Sequence, residues 1–273
     1  MNICDLFKEL SIDTWHRIKF ARERIGFKIY ETTITQNILI TVEKFRIQNS
    51  IRNIRMFESI DESSNGNDIE LYIQSESGEY IFFPVQAKII VHSNKSLKDG
   101  KYAAFKGSQF DSLKKYAITK KGIPIYLFYN YSSHIGDPSF GCLVYRASDL
   151  EVNFYDYIRA EWKKFKFSEL ISEKKGVKWE NLVCKKLRII KNKDTGSISI
   201  VDNRFSESNI KLYNSEELIF DDNWKEIGRE EQKRNITPKT KRKKNKIKFN
   251  PMFRMIINNY STNPISESEN KSN

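Results

Sequence analysis

Asn65-Gly66-Asn67-Asp68-Ile69-Glu70-Leu71, and the Val85-Gln86-Ala87-Lys88 that follows it inside a longer apolar run, are the stretches that decide the fold. Asp68–Gln74 alternates polar and apolar residues as a strand does, Ser75–Glu79 is rich in turn formers, and Tyr80–Val91 is a long strand, so the pair forms a hairpin. Strand parity puts Asp68 and Glu70 on one face, with Ile69 and Leu71 on the other. On the second strand Gln86 and Lys88 share a face, and Val85 and Ala87 share the opposite one. Ile81, Phe82, Phe83, Ile89 and Ile90 flank that lysine, which marks a buried strand, and an unpaired ammonium is costly to desolvate. A neighbouring carboxylate cluster holding a metal is one sufficient reason for Lys88. A snorkelling side chain or a cross-strand ion pair with Glu70 is another.

Outward from the hairpin, Leu6–Gly26 reads as one or two helices with Leu6, Leu10, Trp15, Ile18 and Ala21 at helical intervals and Gly26 as a stop. Thr33–Ile47 is a second helix, with Thr33 or Thr35 as its expected N-cap and Ile34, Ile38, Val42 and Phe45 on one face. Ile51–Ser59 is a strand, and the turn formers of Asp61–Asn67 separate it from the hairpin. Beyond the hairpin come a helix over Phe110–Thr119, a fully apolar strand over Ile123–Tyr131 and a strand over Gly141–Arg146. The order helix, strand, strand, strand, helix, strand predicts an α/β fold, a mixed central β-sheet flanked by helices.

The chain has 273 residues with 47 Lys plus Arg against 35 Asp plus Glu, a net charge of +12. Residues 233–273 hold 11 positive and 2 negative side chains, which leaves the preceding part close to balance. Composition shifts near residue 228, so the expected division is a globular domain over 1–228 and a basic, disordered C-terminal arm over 229–273. Lys239, Lys241, Arg242, Lys243, Lys244, Lys246 and Lys248 follow Pro238 without an acid among them. Such a run suits a flexible arm lying on phosphates and releasing counterions, or else a solubilising or partner-binding tail. Apolar residues at 39% and aromatics at 13% exclude a wholly disordered chain.

Cys4, Cys142 and Cys184 are odd in number, far apart and without CxxC spacing, so neither a disulfide framework nor a zinc knuckle is expected and a reducing compartment is the natural setting. Met1–Leu10 carries Asp5 and Glu9 and no apolar core, unlike a signal peptide. The longest apolar runs are strand-sized, far short of the roughly 20 residues of a membrane helix. The expectation is a cytoplasmic protein with an anionic partner, nucleic acid ahead of membrane.

A carboxylate, a carboxamide and an ammonium in one patch meet the needs of metal-assisted phosphodiester hydrolysis. Mg²⁺ (or Mn²⁺) wants oxygen ligands, here Asp68, the Gln86 amide oxygen and Glu70. The metal would polarise a phosphate and acidify water, and Lys88 would orient that water or offset developing charge. Competing chemistries find less support. His16, His92 and His134 fit no metal spacing, with His92 expected at a surface strand end, and Cys142 with His134 is a weak pair for thiol chemistry. No Gly-rich phosphate loop or nucleophile elbow occurs in the sequence. The aromatic run Tyr126, Phe128, Tyr129, Tyr131 suits either base stacking or core packing.

The pattern acid, hairpin turn, Gln-x-Lys resembles the PD-(D/E)xK nuclease superfamily with its restriction-endonuclease-like core, and most of all the Mrr-type branch, where Gln-Ala-Lys replaces Glu-x-Lys. The string Glu31-Thr-Thr-Ile-Thr35, Gly66-Asn-Asp-Ile-Glu70, Val85-Gln-Ala-Lys88, Gln109 and Pro124-Ile-Tyr-Leu-Phe-Tyr-Asn130 is similar to a bacterial family presumed to be anti-phage defence nucleases. The likeness covers about Arg24–Asn130 and continues more loosely to residue 190. It implies a divalent-metal-dependent endonuclease, with DNA favoured over RNA. Asp68, Gln86 and Lys88 would form the core site, Glu31 would be a further acid and metal ligand from the second helix, and Glu70 another acidic candidate. Gln109 either contacts the phosphate or metal-bound water, or caps the helix after it. Gln86 departs from the superfamily's usual acid, which leaves open a binding module that has lost turnover. An RNA-cleaving toxin, a homo-oligomer and a partner subunit of a defence system stay open as well.

Overall fold

The computed structural model describes residues 2–50, 53–59, 69–93, 96–102, 105–160, 163–185, 187–195, 197–200, 205, 210–219, 224–227 and 251–258. Helix α1 (Ile3–Phe20) opens on a reciprocal capping box: the Asp5 N–H donates to Asn2 Oδ1 at 2.9 Å and the Asn2 N–H to Asp5 Oδ2 at 3.2 Å. It runs into a π-helical turn (Ala21–Ile25) that Gly26 ends at φ +73°, a left-handed conformation that suits glycine. Helix α2 spans Glu31–Gln48 and buries the expected face, Ile34, Ile38, Val42 and Phe45. Its N-cap is Tyr30, not Thr33 or Thr35, and no side chain caps it. Thr35 lies inside the helix, where its hydroxyl donates to the Glu31 carbonyl at 3.0 Å and shares a 2.9 Å hydrogen bond with Tyr129 Oη.

The strands β1 (Ile54–Ser59), β2 (Ile69–Gln74) and β3 (Tyr80–Ser93) follow, then β4 (Ser96–Tyr102), which folds back on the end of β3. After α3 (Gly107–Lys120) come β5 (Ile125–Tyr129) and β6 (Cys142–Arg146). Short elements complete the described chain: α4 (Ala147–Asn153), α5 (Tyr155–Arg159), α6 (Phe167–Ser172), β7 (Val177–Lys178), α7 (Trp179–Cys184), β8 (Ile189–Lys191), β9 (Ile198–Ile200), β10 (Leu212–Tyr213), α8 (Ser215–Ile219), β11 (Trp224–Glu226) and β12 (Phe253–Ile257). The main sheet runs β11-β1-β12-β2-β3-β5-β6-β7, with β4 and β10 also paired to β3. β2 and β3 are antiparallel, β3 and β5 parallel, so the expected α/β class with a mixed sheet is what the chain adopts.

The register Glu70↔Pro84 and Lys88↔Phe128 keeps parity across the sheet and gives it two distinct faces. On one face Ile69, Leu71, Phe83, Val85 and Leu127 pack under α1 and α2. The other face carries Glu70, Tyr72, Phe82, Gln86, Lys88, Tyr126 and Phe128. Helix α3 covers it, with Phe110 stacked on Tyr126 (5.9 Å between centroids) and Tyr116 edge-on to Phe82 (6.1 Å). Tyr126 and Phe128 are wholly buried, so core packing accounts for them and base stacking does not. His92 is buried too, contrary to the surface position expected: its Nε2 lies 2.9 Å from the Tyr131 carbonyl, and burial pulls its pKa down.

Two sequence expectations need correction. Part of the presumed disordered arm is a core strand: β12 lies between β1 and β2, antiparallel to the first and parallel to the second, with Met255, Ile256 and Ile257 buried. Its apolar run, Phe253-Arg-Met-Ile-Ile257, fills a gap that β1 and β2 leave between them. The basic run Lys239–Lys248 lies outside the described residues, and the described residues that flank it, Ile227 and Met252, both hydrogen-bond to β1 backbone. The expectation that no disulfide forms also fails. Cys4 on α1 and Cys184 at the end of α7 form a disulfide with 5.5 Å between Cα atoms, because α1 packs along α7 and closes the 180-residue separation. Cys142 is the free cysteine among the described residues; burial pushes its thiol up to about 12, which disfavours the thiolate that a nucleophile needs.

Candidate functional site

Three elements meet around Lys88. Strand β3 supplies Gln86 and Lys88, two residues apart on the α3 face and both buried. The third residue of α3, Gln109, turns its Oε1 to accept a hydrogen bond from Lys88 Nζ at 3.1 Å. Phe105, just before α3, places its ring 5.7 Å from the same ammonium. Glu31 arrives from the other layer as the first residue of α2, where its carboxylate accepts from the Ile89 N–H and lies within the field of Lys88. Desolvation dominates there. It pushes the Glu31 carboxyl up to about 7, against the lowering effects of Lys88 and the Ile89 N–H.

Glu31, Gln86, Lys88 and Gln109 are thus gathered at one stretch of β3 by parity, by the helix start at Glu31 and by the α3 crossover. Gln109 does not cap α3, whose N-cap is Lys106; its Oε1 binds the lysine directly. Asp68 lies outside the described residues, although its chain neighbour Ile69 stands opposite Val85, the residue before Gln86.

Glu70 does not join the site as an open ligand. It is about 1% exposed, and its Oε2 accepts from Arg254 Nε at 2.8 Å and Nη2 at 2.7 Å, with the Tyr72 hydroxyl at 3.4 Å. Its Oε1 accepts from the Tyr116 hydroxyl. Burial first, and Glu70's charge second, push both tyrosine hydroxyls well up, so they remain protonated donors. Arg254 itself donates to the Leu218 carbonyl and lies 4.4 Å from the Trp224 ring centroid. Glu70 is the anchor that holds the C-terminal strand β12 in the sheet. Sequence reasoning missed Arg254, although one arginine inside a five-residue apolar run asks for a buried acid in the same way that Lys88 does.

The described oxygen donors, Glu31 and the Gln86 amide, have the chemistry a hard cation takes. Among the described residues no group of three His, Cys, Asp or Glu side chains is placed to hold a metal. Nor is any described helix long and apolar enough to cross a membrane.

Fold and site together define an α/β protein with a buried lysine–carboxamide–carboxyl cluster on a central strand. The chain belongs to the family described as "Family of unknown function (DUF6615)", whose model matches residues 3–265. No curated protein and no solved structure matches it.

Proposed function

We propose that this protein is a divalent-metal-dependent nuclease of the PD-(D/E)xK type, acting on DNA in preference to RNA, in the bacterial cytoplasm and in defence against phage. One observation carries the reading: Glu31 from α2, Lys88 from β3 and Gln109 from α3 converge on one stretch of strand, with Gln86 on the Lys88 face. The succession α2, β1, β2, β3, α3, β5, with an antiparallel β2/β3 pair and a parallel β3/β5 pair, supports it.

In this reading Asp68, Glu31 and the Gln86 amide oxygen hold Mg²⁺ or Mn²⁺. When bound, the cation supplies Lewis-acid polarisation of the phosphate and a more acidic water. Gln109 accepts from the Lys88 ammonium and holds it in place, and in this reading Lys88 would orient the attacking water or offset charge developing on the phosphate. Phe105 and the buried strand exclude bulk solvent from one side of that ammonium, which strengthens its interaction with anionic oxygen.

Folded Asp68→Ala and Lys88→Ala proteins assayed with Mg²⁺ or Mn²⁺ on duplex DNA, single-stranded DNA and tRNA test the proposal. Loss of metal-dependent cleavage in both is expected, and wild-type cleavage by both overturns it. The neutral amide of Gln86, where an acid is usual, favours one rival: a binding module without turnover. That rival predicts salt-sensitive nucleic-acid binding with no metal-dependent nicking.

A further inference from the structure

We propose that the segment Phe20–Tyr30 is a platform for single-stranded nucleic acid, leading unpaired bases to the Glu31–Lys88 cluster; this rests on the nuclease reading for its purpose but not for its test. Phe20, Ile25, Phe27 and Tyr30 are 59%, 46%, 67% and 60% exposed, a concentration of large apolar side chains within eleven consecutive residues that no core demand explains. Lys19, Arg22, Arg24 and Lys28 are interleaved with them, and among the described residues none of the four is in an ion pair. The segment's one acid, Glu23, is occupied by the Tyr131 hydroxyl. Arg22 is half-buried, with its Nε enclosed and lacking a hydrogen-bond acceptor.

The backbone explains how the display arises. In the π-helical turn the Phe27 N–H donates to the Ala21 carbonyl at 2.8 Å, and Gly26 in the left-handed region swings the chain out of the α1 axis. Phe27–Tyr30 then runs free of helix until Tyr30 caps α2, so the last exposed ring directly precedes Glu31. Lys28 Nζ sits 5.3 Å from the Tyr30 ring centroid, a pairing of ring and cation that matches one base and its phosphate. Rings that stack bases need those bases already unstacked, which selects a single strand over a duplex. Continuity with the Glu31 cluster favours nucleic acid over a lipid surface, which the same residue types would also attract.

Fluorescence anisotropy of labelled single-stranded and duplex oligonucleotides, titrated with the full-length protein in EDTA, tests this without metal or cleavage. Phe27→Ala/Tyr30→Ala removes two side chains that are mostly in solvent, so the fold is retained. Single-strand affinity should fall at least ten-fold, with duplex affinity changed less than three-fold. Arg24→Gln/Lys28→Gln should weaken both and flatten the dependence of log K on log salt by about 1.4 for the single strand and about 1.8 for the duplex. Single-strand affinity within two-fold of wild type in the aromatic variant overturns the platform, whatever the cleavage assays give. So does wild-type protein that binds phosphatidylserine vesicles through these residues but not the oligonucleotide. Loss of single-strand affinity in the aromatic variant, beside an absence of metal-dependent cleavage, would leave the platform standing and the nuclease reading refuted.

Discussion

Replacing Glu31 by glutamine should make the metal-free protein more stable at neutral pH, by an amount that can be worked from the site. The Glu31 carboxyl is pushed up to about 7 from an ordinary 4.5, chiefly by desolvation. In the unfolded chain it ionises near 4.5, so between those values the folded protein holds a proton that the unfolded one has released. Stability therefore declines as pH rises through that window and levels off above it. The full loss is about 3 kcal/mol, at ~1.4 kcal/mol per pH unit of the window. Glutamine keeps the shape and cannot ionise, so the stability difference between Glu31→Gln and wild type should grow by about 3 kcal/mol from pH 4 to pH 8. Urea titrations in EDTA at half-unit pH steps measure it, and taking the difference cancels the other titrating groups. Removing Lys88 as well should move the wild-type transition to still higher pH, because Lys88 lowers the Glu31 value. Parallel wild-type and Glu31→Gln curves across this range would refute the account of Glu31 as a carboxyl whose burial is poorly offset.

The C-terminal strand, the buried ion pair and the disulfide each carry a prediction. A chain ending at residue 250 lacks β12 and should fail to give a cooperative melt by circular dichroism, since β1 and β2 each lose one of their two partners and the sheet is cut between them; a native-like melt would show that β12 is dispensable. Arg254→Met should cost about 3–5 kcal/mol in urea titration by leaving Glu70 buried with its charge unpaired, and adding Glu70→Gln should recover a large part of it. Under oxidising conditions Cys184→Ser should lose about 2–5 kcal/mol of stability, and the loss should disappear when both proteins are reduced.

What the sequence reveals and what it hides divide along a physical line. Alternation is a local property, so the β2/β3 hairpin, the shared face of Gln86 and Lys88 and the buried stripe of α2 follow from nearest neighbours alone. The helix start at Glu31 does not, because Tyr30 caps α2 only with its backbone and packing against Tyr129 draws Thr35 into the helix. The Cys4–Cys184 pair depends on the packing of α1 along α7, which no spacing encodes. β12 is a different kind of miss. Its apolar run is as legible as that of β5, but it follows a segment whose charge suggests disorder, and average composition does not mark the point where an apolar run returns.

Glu31 and Glu70 show why parity alone cannot assign function to an acid. Both approach β3 from neighbouring elements, and both lose water in the fold. Glu70 recovers what it loses through a two-nitrogen contact with Arg254 and two tyrosine hydroxyls, so its charge is neutralised and its oxygens are filled. Another ligand would have to break that set, which also secures β12. Glu31 has one backbone N–H and the field of a lysine that Gln109 already engages, and these fall short of its desolvation. A carboxyl kept in that condition on a helix start is poorly explained by stability, which glutamine would serve better. The proposed metal would supply the missing charge. The structural acid is the one whose needs the fold meets, and the acid left wanting is the one to test for metal.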